Sequence, residues 1–81
     1  MKYSDDIIAY TASPRLEIVG NTQCVVDGLQ SILEYTKDRI KIDLGKYAVT
    51  FLGSELYINC LSHEGAVVEG TIMSVEFGSN G

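Results

Sequence analysis

Ile40, Ile42 and Leu44 alternate with Lys41 and Asp43, and a Gly45-Lys46 pair follows at once. Gly-X is the sequence form of a two-residue II′ hairpin turn. A turn there sets Leu44 opposite Tyr47, Ile42 opposite Val49 and Ile40 opposite Phe51, all apolar and all on one face. Side chains alternate with period two, so a slip of one residue would turn that face to water. No other stretch constrains the chain as much: it commits the middle to antiparallel β structure.

The same pairing test extends in both directions. Gly53-Ser54 has the Gly-X form and predicts a second turn, with Phe51 opposite Leu56, Val49 opposite Ile58 and Tyr47 opposite Cys60. A turn at Lys37-Asp38 sets Tyr35 opposite Ile40 and Leu33 opposite Ile42, with Glu34 opposite Lys41 on the other face. Gly20-Asn21-Thr22 closes a hairpin with Ile18 facing Cys24, Leu16 facing Val26 and Arg15 facing Asp27. His63-Glu64-Gly65 fits a three-residue loop that sets Cys60 opposite Val68, Ile58 opposite Gly70 and Leu56 opposite Ile72. After Ile72 the parity changes, because Met73, Val75 and Phe77 now alternate with Ser74 and Glu76. That change predicts a bulge or bend between Ile72 and Met73. Between Asp27 and Tyr35, Leu29, Ile32 and Leu33 have helical spacing, and Asp27 with Gln30 resembles a weak capping box. Leu33 and Tyr35 complete the sheet, which favours a loop followed by a strand.

The expected fold is all-β, with about seven short antiparallel strands in a meander. One face is apolar; the other carries Lys41, Asp43, Thr50, Tyr57, Asn59 and Thr71. The apolar face must be covered, so the sheet curls into a small sandwich or open barrel. A short β-roll that stacks in an oligomer is the alternative. Residues 14–77 form the single β domain. Residues 1–13 form a leader, either a short helix or an arm covering an edge, and residues 78–81 a flexible tail.

At 81 residues there is room for one domain, and its core is marginal, with no Trp and two Phe. Self-association would bury a further apolar face. Eleven acidic residues against six basic ones give a net charge of -5. That balance opposes phosphate neutralisation and docking on an anionic membrane. Hydrophobic residues at 46% exclude disorder. No apolar run reaches the ~20 residues of a membrane span, and no secretory signal opens the chain. The expectation is a soluble, cytoplasmic domain that does not insert into membrane.

No residue pattern points to catalysis, a cofactor or a metal. His63, the lone histidine, reads as a solvated loop residue without a partner base. Cys24 and Cys60 both fall on inward positions and read as buried reduced thiols; with His63 they fall short of the four ligands of a structural zinc site. Glycines at 20, 45, 53 and 65 read as turns rather than a phosphate loop. Tyr35 and Tyr47 read as core and Tyr57 as outward, beside Thr50 and Lys41. Tyr is enriched at protein interfaces, so Lys41, Thr50, Tyr57, Asn59 and Thr71 form the candidate protein-contact surface.

Four stretches carry a family resemblance: Pro14-Arg15-Leu16-Glu17-Ile18-Val19-Gly20, Ile32-Leu33-Glu34-Tyr35-Thr36, Phe51-Leu52-Gly53-Ser54-Glu55-Leu56-Tyr57-Ile58, and Val68-Glu69-Gly70-Thr71-Ile72-Met73-Ser74-Val75-Glu76-Phe77. In their order and spacing they resemble the YabP/YqfC family of sporulation proteins, closest to the YqfC branch. Where that family often has an Asn-His-basic stretch after the second strand, this chain has Asp27-Gly28-Leu29-Gln30. The resemblance implies a role in the mother cell of an endospore-forming bacterium and a YqfD-like membrane protein as partner. It implies no catalytic or ligand residues. The function expected is a non-enzymatic interaction or scaffold module, with a homo-oligomer consistent with its size. The alternative is a small β-barrel binder of single-stranded nucleic acid or glycan, using Tyr57 and Lys41 as a stacking platform.

Overall fold

The computed structural model describes residues 14–79. The leader at 1–13 and the last two tail residues, Asn80 and Gly81, lie outside the described residues. Six strands form one open antiparallel sheet: β1 (Arg15–Val19), β2 (Gln23–Asp27), β3 (Ser31–Tyr35), β4 (Arg39–Asp43), β5 (Ala48–Asn59) and β6 (Gly65–Gly78). No helix occurs among the described residues, and Asp27 to Tyr35 is a loop followed by a strand. The order across the sheet is β1-β2-β6-β5-β4-β3. Next-neighbour pairing holds for β1 with β2 and from β3 through β6, while β2 crosses to pair with β6.

Turn chemistry sets the local registers as expected. Ile40 lies opposite Phe51 and Ile42 opposite Val49, and the Leu44 N–H donates to the Tyr47 carbonyl across Gly45-Lys46 at 2.9 Å. Leu16 faces Val26, Ile18 faces Cys24 and Arg15 faces Asp27. Thr36 and Arg39 exchange backbone hydrogen bonds around Lys37-Asp38, which sets Tyr35 opposite Ile40 and Glu34 opposite Lys41. The Thr36 hydroxyl oxygen fixes that turn by accepting from the N–H groups of Asp38 and Arg39.

Gly53-Ser54 does not turn. It lies inside β5, a single strand of 12 residues that pairs along its length with the 14 residues of β6. Gly53 is needed for close approach instead: a Cβ there would sit 1.9 Å from the Thr71 carbonyl oxygen. The expected pairings of Phe51 with Leu56, Val49 with Ile58 and Tyr47 with Cys60 are therefore replaced. Phe51 lies beside Val75, Val49 beside Phe77 and Ile58 beside Val68.

Two irregularities bend this long pair. Leu52 faces Ser74 but Gly53 faces Ile72, so Met73 is the extra residue, at the position where the apolar parity changes. Ser54 faces Thr71 and Tyr57 faces Glu69, so β5 then carries an extra residue of its own. There Glu55 takes a positive φ of 54° opposite Gly70 at 125°. Bulges sharpen strand twist, and this bend divides the sheet into two halves. Rows Leu16–Val26–Ala66 and Ile18–Cys24–Val68–Ile58 line one half; Ile40–Phe51–Val75 and Ile42–Val49–Phe77 line the other. Cys24, Val26, Val68, Ile40, Ile42, Val49 and Phe51 belong to one hydrophobic cluster and are fully buried. The bend thus gives both halves a shared core.

Further corrections follow from these bulges. Ile32, not Leu33, lies opposite Ile42, because β3 shifts register between Ile32 and Glu34; Leu33 is left 46% exposed. The turn at the tip of the β5–β6 connection is the two residues His63-Glu64, since Ser62 and Gly65 exchange backbone hydrogen bonds. Cys60, at a φ of 54°, absorbs a residue before that turn and points out to solvent rather than inward. Tyr35 is 52% exposed rather than core, because it closes an outer strand. Gly78 is not tail: it is the last residue of β6, opposite Ala48.

Candidate functional site

The five expected contact residues share the outer face of the sheet but not one neighbourhood. Lys41 and Thr50 are direct cross-strand partners, and Glu76 completes their row. Thr50 is only 8% exposed, so it is a buried polar residue and not the contact residue expected. Tyr57 and Asn59 lie beyond the two bulges in the other half. Thr71 lies at the bend, opposite Ser54, and is exposed.

The structure assembles a smaller site around Tyr57. Its phenolic O–H donates to Glu69 Oε1 on the neighbouring strand, directly opposite in the register. The Asn59 side-chain amide donates to the other oxygen, Oε2, at 3.5 Å, while its own carbonyl oxygen accepts from the Cys60 N–H at 2.9 Å. The hydrogen bond and charge of Glu69 push the Tyr57 hydroxyl above its ordinary value of 10.0. Tyr57 remains 46% exposed, so the site is a held aromatic flanked by a carboxylate and an amide. It offers one apolar ring and satisfied polar neighbours, a composition suited to protein contact.

Glu69 is the partner that reasoning from the sequence missed. The expected register, with Ile58 opposite Gly70, brings Thr71 across from Tyr57. The turn, one residue shorter than expected, moves β6 by one position and the residue absorbed at Cys60 moves it by another, which together bring Glu69 there instead. The alternation of Glu69 with the apolar Val68 marks it as outward, but only the correct turn length pairs it with Tyr57.

The thiols are far apart in role. Cys24 is fully buried in the core row, where desolvation pushes its pKa up against a weaker lowering by a backbone hydrogen bond at Glu17. Cys60 is exposed, and both are free. His63 sits in the β5–β6 turn, exposed. Among the described residues there is no enclosed pocket, no group of three His, Cys, Asp or Glu side chains placed to hold a metal ion, and no helix long and apolar enough to cross a membrane.

A second surface lies along the outer strands. β1 carries Arg15 and Glu17, β3 is broken by its bulge and bears Glu34, which pairs with Arg39 at 2.8 Å rather than with Lys41. The distal part of β6 is different. Beyond Glu69 no described strand pairs with it on the side away from β5; the Gly70 and Ile72 N–H groups are taken by the carbonyls of Thr22 and Asn21. Past them Met73 is 72% and Phe77 63% exposed.

No curated protein and no solved structure matches the chain. A family model does match, over residues 11–81, and it describes the YabP family. That span covers the whole described sheet, including the bulged β5–β6 pair and the Tyr57 site, and the chain belongs to the YabP family.

Proposed function

We propose that this chain is a non-enzymatic interaction module of endospore formation, acting in the mother cell and binding a protein partner. Membership of the YabP family is consistent with a sporulation-related role. The observation that carries the interaction reading is the exposed Tyr57 ring held by Glu69 on a sheet face with no enclosed pocket among the described residues. A ring locked by a neighbouring carboxylate loses little entropy on binding. A YqfD-like membrane protein is the first partner to test, with the chain recruited to the membrane by that partner rather than inserting itself.

Two readouts test this. Replacing the gene in its sporulating host by Tyr57→Ala should lower the yield of heat-resistant spores as deletion does, while the purified variant keeps its β circular dichroism. Co-expression with the YqfD-like protein should give a complex that survives purification with the native chain and is lost with Tyr57→Ala. Full spore yield on deletion, or a complex indifferent to Tyr57, would contradict the proposal.

A further inference from the structure

The free stretch of β6 has a definite hydrogen-bonding parity. Tyr47 and Gly53 of β5 bond toward β4 and its turn, through the Tyr47 carbonyl to Leu44 and the Gly53 N–H to Asp38. Backbone groups alternate sides along a strand, so Val49 and Phe51 also face β4. Ala48, Thr50 and Leu52 face β6, where their partners are Gly78, Glu76 and Ser74. Val75 and Phe77 must therefore turn their N–H and C=O groups away from β5. The Met73 carbonyl turns the same way, because in a trans peptide it points opposite the Ser74 N–H. Among the described residues these groups form an edge with none of the protection found on the other two. It carries no proline and no bulge past Met73, and its one charge is Glu76. Unprotected apolar edges are templates for strand addition.

We propose that this edge pairs with the same edge of a second copy, antiparallel across a two-fold axis through Val75. In that register Val75 meets Val75 of the second copy, Ser74 meets Glu76, and Met73 meets Phe77. Each Val75 N–H finds the opposing Val75 carbonyl, and each Phe77 N–H finds the opposing Met73 carbonyl. The two most exposed large apolar side chains of the described residues cover each other. Phe77 is already held in place by an edge-on contact with Tyr47, ring centroids 5.6 Å apart. Centring the axis on Glu76 instead would set two carboxylates directly opposite, which is destabilising in a cross-strand pair. The occupant is thus chosen by self-complementarity: apolar, polar, apolar, polar, apolar from Met73 to Phe77 reads the same from either end. The result is one sheet running through β3, β4, β5 and β6 of each copy, eight strands across the junction with each β1–β2 pair flanking it, presenting two Tyr57 sites to a common partner.

The inference deepens the interaction reading but is tested apart from it, since mass in solution reports neither spore yield nor partner binding. An edge this short buries less than the ~1,200 Å² of stable complexes, so the dimer is concentration-dependent. Because each copy carries a charge of -5, added salt should strengthen it by screening repulsion. The experiment is sedimentation velocity on the full chain over a concentration series at low and high salt. A monomer–dimer equilibrium favoured by salt is expected. Met73→Lys with Phe77→Lys places like charges in both outer pairs and should weaken dimerisation about tenfold or more. Met73→Lys with Phe77→Glu places opposite charges in the same two pairs and should restore it. Circular dichroism confirms that each variant folds. A chain that stays monomeric, a species larger than the dimer, dimerisation unaffected by the double lysine variant, or failure of the Lys/Glu variant to recover would each overturn the proposal.

Discussion

The hydroxyl oxygen of Tyr35 accepts a hydrogen bond from the backbone N–H of Ile58 at 2.9 Å, across 23 residues of sequence. β4 ends before it can pair with this part of β5. The Lys37 carbonyl takes the Leu56 N–H and the Tyr35 hydroxyl takes the next outward one, at Ile58. A side chain thus caps the edge where a strand is missing, and that explains why Tyr35 is exposed and yet held. Tyr35→Phe removes the acceptor and should cost about 0.5–1.5 kcal/mol. Urea unfolding should show a lower midpoint with an unchanged slope, and the Ile58 amide should exchange faster. An unchanged midpoint with an unchanged Ile58 amide would contradict the cap.

The bend depends on a glycine. A Cβ at Gly70 would lie 2.4 Å from the Glu55 carbonyl oxygen, and its φ of 125° is one that L side chains rarely adopt. Gly70→Ala should therefore cost roughly 2–4 kcal/mol, from backbone strain and crowding together. Gly78 has open space around it, so Gly78→Ala serves as the near-neutral control. Equal effects of the two substitutions on thermal unfolding would argue against the bulged pairing.

The two thiols should separate cleanly by reactivity. Cys60 is exposed and Cys24 fully buried. A thiol reagent should modify one cysteine per native chain, none in Cys60→Ser, and the second only on unfolding. Two fast-reacting thiols in the native chain would place Cys24 outside the core.

Alkaline pH should destabilise the fold through Cys24. Burial raises its folded pKa above the value of 9.0 that it has when exposed. Below about pH 9 the thiol is neutral in both states and its contribution is intact. As pH rises through the folded pKa the unfolded chain gains by ionising first, and that contribution is lost. Cys24→Ala should flatten this part of the stability–pH curve. The Tyr57 hydroxyl, raised by Glu69, should titrate above 10 by nuclear magnetic resonance and move back down in Glu69→Gln. A Tyr57 titration that ignores Glu69→Gln would remove the hydrogen bond on which the candidate site rests.

Local pairing was legible in the sequence because turn chemistry and period-two alternation act over a few residues. Gly45-Lys46 and Gly20-Asn21-Thr22 align apolar residues in the registers observed, and Lys37-Asp38 does so for Tyr35 with Ile40, up to the bulge that replaces Leu33 by Ile32 opposite Ile42. The bulge at Met73 was legible for the same reason, since a change of parity is visible in one strand alone. Gly53 misled because a glycine serves a turn or a close backbone approach equally well, and only the position of Thr71 distinguishes them. The pairing of β2 with β6 was not legible: no local signal links Gln23–Asp27 to Gly65–Glu69. At the site, the outward position of Tyr57 followed from alternation. Its partner Glu69 did not, because that required the exact loop around Cys60. The burial of Thr50 on a face expected to be polar was not legible either, because single-strand patterns do not encode what packs over a face.

Past Glu69 the last strand of the open, bent sheet offers an edge that no other described strand pairs. Amide exchange along β6, followed residue by residue in dilute monomer, tests it most directly. The Ser74, Glu76 and Gly78 amides should be protected by β5, while Val75 and Phe77 exchange rapidly between them. Equal protection of Val75 and Phe77 in the monomer would mean that the chain closes this edge on itself, and the account would be wrong.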